Sequence, residues 1–291
     1  MTEHKVLDAI QNFRRKGCIR AFGPVFEARK LGYVSTLSAA QVDPDHLPTI
    51  ASGMFDIPEI THNYLRDHAW NVWFTITAAD RDSVDRILDR VRQFPGVKEV
   101  MDLPATRVFK ISAVWGVHAN FHAMLPDGET DVSRFGESEK TLVRALQQDF
   151  PIVEQPFRQI AEKIGGEHEA VLDTIREWNG NGTIRRFGAR LNHRKLGYVQ
   201  NLLTVWGGKR VEEWGKAFAG MDQVSHCYLR EPRSDWPYSL YAMVHTRSEE
   251  ELNRSLSAMK RRAPGSAMIR LRTVSELKKT VMSYFLEEKR T

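Results

Sequence analysis

Apolar and polar positions along this chain follow two periods, and the order of those periods repeats. A β-rich run, Tyr33 to Val42, leads into a helical segment, Pro44 to Met54. Two strand patterns around a turn follow, Ile60 to Arg66 and Val72 to Thr77. Arg81 to Phe94 then places Val84, Ile87, Leu88 and Val91 at helical spacing, and Val97 to Val114 reads as a last strand. The same series returns as Tyr198 to Trp206, Val211 to Ala219, Val224 to Arg230, Tyr238 to His245, Glu249 to Ala263 (Leu252, Leu256 and Met259 at helical spacing) and Ala267 to Val274.

Identity confirms that this is duplication. GCIRAFGPVFEARKLGYV from Gly17 and GTIRRFGARLNHRKLGYV from Gly182 agree at 11 of 18 positions without a gap. The order βαββαβ in each copy predicts an α+β protein of tandem duplicated ferredoxin-like domains, with helices on one face of an antiparallel sheet. Ahead of the second copy, Ser138 to Gln148, Gln155 to Ile164 and Glu167 to Trp178 have the spacing of a winged helix-turn-helix, its wing running through Thr183 to Arg190. The first copy retains only the third of these helices, His4 to Phe13, so its module is truncated. The expected divisions are a truncated helix-turn-helix at 1–24, a ferredoxin-like domain at 25–115 and a polar linker at 116–133. A winged helix-turn-helix at 134–190, a second ferredoxin-like domain at 191–280 and a tail at 281–291 complete them.

Composition adds limits. The 291 residues are 42% hydrophobic and 27% charged, ordinary for a soluble globular protein. No apolar run reaches the length of a membrane span and MTEHKVLDAI has no leader-like apolar stretch, so the expected compartment is the cytoplasm. Cys18 and Cys227 form neither a disulfide framework nor a metal pattern. A formal charge of +5 suits an anionic ligand or nucleic acid and selects neither. The candidate recognition helix argues against sequence-specific DNA. Glu167, Glu169, Asp173 and Glu177 make it acidic, whereas a helix approaching phosphates should be basic or neutral.

The chemistry concentrates in a repeated motif. ITHNYLRDHAW, from Ile60, returns as VSHCYLREPRSDW, from Val224. Of ten histidines, His62 and His226 alone occupy equivalent positions of the two βαββαβ copies. Strand alternation predicts that Ile60, His62, Tyr64 and Arg66 share a face, as do Val224, His226, Tyr228 and Arg230. An imidazole, a phenol and a guanidinium side by side are a costly lining for a hydrocarbon core. They suit a pocket with aromatic walls (Trp70, Trp236), arginines for carboxylates and imidazoles that exchange protons. Arg20, Arg185, Lys30 and Lys195 could add to carboxylate binding, and His245 is a further pocket candidate. An exposed polar sheet face, or histidines satisfied within a dimer interface, would account for the same residues.

IRxFGxxxxxRKLGY, with THNYLRDHAWNVWFT in the first copy and SHCYLREPRSDWPYSLYAMVH in the second, resembles the sirohaem decarboxylases over nearly the whole chain. That family is built on the Lrp/AsnC regulator architecture, and this chain is similar to a fusion of its two usual partners. The resemblance implies removal of CO2 from the C12 and C18 acetates of sirohaem, giving 12,18-didecarboxysirohaem on the way to haem or haem d1. It implies no cofactor beyond the iron carried in the tetrapyrrole, and it maps reaction-centre histidines onto His62 and His226. Arg66, Arg230, Tyr64 and Tyr228 would anchor carboxylates. Two copies in one chain would form an internal pseudo-dimer, with further homo-oligomers open. An Lrp/AsnC-type DNA-binding regulator and a haem-binding sensor, with a histidine on iron, are the alternatives.

Overall fold

The computed structural model describes residues 2–111, 134–280 and 282–286. The expected linker at 116–133, the end of the first copy's last strand at 112–114, and 281 and 287–291 of the expected tail lie outside the described residues. The first copy opens with helix α1 (Glu3–Arg15) and strand β1 (Ile19–Phe26). It continues as β2 (Val34–Val42), α2 (Leu47–Phe55), β3 (Ile60–Arg66), β4 (Val72–Ala78), α3 (Arg81–Arg92) and β5 (Val97–Ile111). Three helices follow, α4 (Glu137–Leu146), α5 (Pro156–Ile164) and α6 (His168–Gly180), then β6 (Ile184–Leu191). The second copy is β7 (Gln200–Gly207), α7 (Val211–Ala219), β8 (Val224–Arg230), β9 (Leu240–Thr246), α8 (Glu249–Arg262) and β10 (Ala267–Lys279).

Local chemistry fixes these bounds. The Asp80 side chain accepts from Ser83 N–H to start α3, and Ser248 accepts from Glu251 N–H to start α8. Each helix then buries one stripe against its own sheet: Val84, Leu88 and Val91, or Leu252, Leu256 and Met259. The shared RKLGY sequence is a turn whose glycine lies in the left-handed region, φ +85° at Gly32 and +84° at Gly197, where a side chain would be strained.

Each copy has the ferredoxin-like strand order, β3-β4-β2-β5 and β8-β9-β7-β10. The two sheets do not remain separate. β5 pairs with β2 as far as Pro104 and then, from Ala105 to Ile111, with β8 of the other copy. β10 likewise pairs with β7 as far as Arg272 and with β3 from Thr273 to Lys279. These crossing strands close an eight-stranded barrel, so the internal pseudo-dimer is continuous through its hydrogen bonds. The second copy's last strand therefore runs past Val274, where it was expected to stop, because its C-terminal half has a partner in the first copy. The wings also join: β1 pairs antiparallel with β6, Gly23 opposite Gly188.

Apolar residues fill three layers. One lies between the first sheet and α2 and α3 (Ile50, Met54, Phe74, Leu88), and one between the second sheet and α7 and α8 (Trp206, Phe218, Leu240, Leu256). The third is inside the barrel, with Trp70, Trp73, Trp236, Tyr241 and Leu271. A further cluster seats α4, α5 and α6 on the first copy's RKLGY turn, and Tyr284 and Phe285 from the tail are buried within it. α1 lacks such cover. Its Val6 and Phe13 are exposed, while the equivalent Val171 and Trp178 of α6 are buried. On α6 the sole fixed cation, Arg176, is tied to Asp173 at 2.8 Å, leaving the helix acidic. Among the described residues no helix is long and apolar enough to cross a membrane.

Candidate active site

Two β-bulges decide which side chains enter the barrel. The β3–β4 register shifts between Ile60 and His62, and the β8–β9 register between Val224 and His226. Ile60 and Val224 consequently join the helix-facing cores. This corrects the expectation that they share a face with the histidines. Asn63 and Leu65, or Cys227 and Leu229, also face the helices, which leaves His62, Tyr64 and Arg66 and His226, Tyr228 and Arg230 on the inner wall.

The two triplets are built alike. His62 lies against Tyr64 with ring centroids 6.4 Å apart and planes 27° from parallel, and His226 against Tyr228 at 6.2 Å and 21°. The hydroxyl of the preceding residue reaches each Nδ1, Thr61 at 3.0 Å and Ser225 at 2.8 Å. Both imidazoles are half-buried. Burial first, and then nearby cations, lowers each pKa to about 4; Lys279 is the foremost cation for His62 and Arg185 for His226. His226 also feels His62, so the two motifs border a common electrostatic space. Burial raises Tyr64 to about 12 and also raises Tyr228.

The remaining predicted residues divide. His245 is buried and meets His193 edge to face at 5.4 Å, and desolvation holds His245 well below the usual imidazole range. Arg20 pairs with Glu276 at 3.7 Å and Arg185 with Glu27 at 3.5 Å, both at the wing end of the barrel. Arg66 and Arg230 are committed differently from the carboxylate anchors expected of them. Arg66 Nη1 donates to the Leu271 carbonyl and to Thr273 Oγ1 at 2.9 Å each, and Arg230 Nη1 donates to the Leu103 carbonyl. Both guanidiniums also lie over the tyrosine of their own motif. Through Nη1 they fasten the crossing strands, while the Nε of each is buried without a hydrogen-bond partner. Trp70 and Trp236 are buried among Trp73 and Tyr238 at the hairpin end, so they form core there and not an open aromatic wall. Lys30 and Lys195 lie on the two RKLGY turns.

Several site residues escaped the sequence reading. Thr61 and Ser225 had a signal, a hydroxyl directly before each repeated histidine. Lys279 and Glu276 had none, since they lie beyond the expected end of their strand. His193 was hidden as a departure within a repeat, NHRKLGY against EARKLGY. Two surface hollows, of about 530 Å³ outside α8 and about 300 Å³ beside Arg92 and Arg233, contain no predicted site residue.

Comparison with known proteins bears on this arrangement. The AsnC-like ligand binding domain family matches residues 30–110 and 195–278, the two halves of the barrel. The siroheme decarboxylase NirDL-like HTH domain family matches 139–185. A siroheme decarboxylase of Hydrogenobacter thermophilus is 32% identical over 98% of this chain and 87% of its own length. The chain belongs to the sirohaem decarboxylase family. Within that family, the crystal structure of the siroheme decarboxylase NirDL superposes with a TM-score of 0.75 at 30% identity, covering 99% of this chain and 86% of that one. A second NirDL structure, in complex with an iron-uroporphyrin III analogue, superposes with the same score, identity and coverage.

Proposed function

We propose that this chain removes CO2 from the two acetate side chains of sirohaem to give 12,18-didecarboxysirohaem, within haem or haem d1 biosynthesis. The observation that carries this reading is the pair of His-x-Tyr-x-Arg triplets on the inner wall of one barrel, in a chain of the sirohaem decarboxylase family. The iron-uroporphyrin analogue bound by NirDL supports a tetrapyrrole as the ligand class.

The residues suit the reaction. In decarboxylation the bond between the acetate methylene and its carboxylate breaks, CO2 leaves, and the electron pair stays on the methylene carbon, spread into the conjugated macrocycle. Transfer of a proton from an imidazolium to that carbon completes a methyl group and leaves a neutral imidazole. Such general-acid assistance is worth roughly 10²- to 10⁴-fold. Desolvation keeps His62 and His226 unprotonated in the free site, with pKa values of about 4. A polycarboxylate placed beside them stabilises the charged form and draws in the required proton. The Thr61 and Ser225 hydroxyls at Nδ1 hold each ring and leave Nε2 for the substrate. Arg20 and Arg185, each paired with a glutamate in the free site, would exchange those partners for substrate carboxylates. No organic cofactor enters this scheme, and the iron arrives as part of the substrate.

Incubation of the full chain with sirohaem under anaerobic conditions, followed by mass spectrometry, tests the reading. Successive loss of two CO2 units is expected. Tight binding of sirohaem without mass loss would overturn the reading in favour of a haem-binding carrier, and salt-sensitive sequence-specific duplex binding without mass loss in favour of a regulator.

A further inference from the structure

The two histidine motifs match, but the strands facing them do not. On one side β3 meets β10, with Thr273 opposite Arg66, Glu276 opposite Tyr64 and Lys279 opposite His62. On the other side β8 meets β5, with Ala105, Val108 and Ile111 in the same three places. The preceding lysines are alike. Lys278 donates to the carbonyls of Phe55 and Ile57 at and just past the end of α2, and Lys110 to that of Met221 after α7. The next residue differs again, Lys279 against Ile111.

The asymmetry extends to the neighbouring turns. His193 of the second copy corresponds to Ala28 of the first, and His245, opposite Asn201, to Thr77, opposite Ser35. Near Ala28 the RKLGY turn is sealed: Leu31 and Tyr33 are buried, and Tyr33 Oη accepts from Phe285 N–H. Near His193 the matching turn is open, with Arg194 and Lys195 exposed, Tyr198 half-buried and Val199 58% exposed. The second copy's turn is thus the more exposed of the two, and the Lys279 side chain keeps 25% of its surface exposed. Lys279 is half-buried, 3.5 Å from Glu276, and it stands opposite His62 across the β3–β10 pairing, where its charge is the foremost cation lowering that imidazole.

We propose that Lys279, whose counterpart on the other side of the pseudo-twofold is Ile111, takes a substrate carboxylate on its own side and so fixes the orientation in which the tetrapyrrole enters the barrel. This deepens the sirohaem reading and rests on it. A tetrapyrrole carries carboxylates around its whole rim, and a site with equal halves would accept it turned either way. An ammonium on one side makes the two orientations unequal in energy, which is what selection between them requires. Lys279 would exchange its contact with Glu276 for a second, substrate carboxylate.

Titration of the full chain with iron uroporphyrin, a polycarboxylate iron tetrapyrrole, followed at its Soret band, tests this without turnover. Lys279→Ile, which installs the mirror-side residue, and Lys279→Gln, which can still bond Glu276, should each weaken binding roughly 10- to 100-fold. Lys279→Arg should restore most of it. With sirohaem, Lys279→Gln should release both mono-decarboxylated isomers where the parent chain releases one. Unchanged affinity in folded Lys279→Gln, or unchanged isomer output, would overturn the proposal. Loss of binding in the variants of a chain that does not decarboxylate sirohaem would retire the decarboxylase reading and keep Lys279 as an anchor. Turnover with unaltered binding would do the reverse.

Discussion

The charge state of His62 and His226 is set by their surroundings. A solvated imidazole has a pKa near 6.5, and the barrel lowers both to about 4 by desolvation reinforced by Lys279, Arg20, Arg185 and Lys110, with Glu276 opposing at His62. At about pH 6 the free site therefore holds neutral rings. Carboxylates brought in by a ligand raise those pKa values, so binding must take up protons. Calorimetric titration with iron uroporphyrin at that pH, in buffers of different ionisation enthalpy, should give net proton uptake; heats independent of the buffer would contradict it. The hydroxyls at Nδ1 make a second prediction. Thr61→Val or Ser225→Ala removes one hydrogen bond worth about 1 kcal/mol, so kcat should fall about five-fold with KM little changed, as steady-state assays would read. At this scale the repeated histidines, tyrosines and arginines were legible as a motif. The role of the arginines was not, because whether a guanidinium meets a ligand or a strand depends on a partner some 200 residues away, such as Leu271 for Arg66.

Strand length carries the next level. β3, β8 and α7 could be read to the residue, since turn and breaker residues bound short apolar patterns: Asp56 to Pro58 before β3, Gly207-Gly208 before α7 and Gly220 after it. The second half of β10, Ser275 to Lys279, has no apolar alternation, and its strand character comes from pairing with β3. The bulges before His62 and His226 were equally hidden, because a single extra residue changes the face without changing composition. Arg66 joins β3 to this crossing strand, and removing it leaves the Leu271 carbonyl and Thr273 hydroxyl without their donor. Arg66→Ala should cost about 2–3 kcal/mol in stability, seen as a lower urea midpoint, and Arg230→Ala a similar amount. A midpoint unchanged in either variant would mean that the guanidinium does not fasten the barrel.

For the whole molecule, duplication is the property most plainly written in the sequence, and closure the least. The repeat announced two copies of one unit, but only long-range pairing joins them into a single barrel with the two histidine motifs on its inner wall. Closure predicts one cooperative unfolding event. Tryptophan fluorescence, which reports the barrel interior through Trp70, Trp73 and Trp236 and the second copy's helix-facing core through Trp206 and Trp214, and far-ultraviolet circular dichroism should give coincident urea transitions; two separated transitions would indicate independent domains. The most direct test of the account compares His62→Ala and His226→Ala with the parent chain, each incubated anaerobically with sirohaem and followed by mass spectrometry. Each single variant should lose at least one of the two decarboxylations or slow it by about 10²-fold or more. Complete formation of the didecarboxylated product at the parent rate by either variant would contradict it.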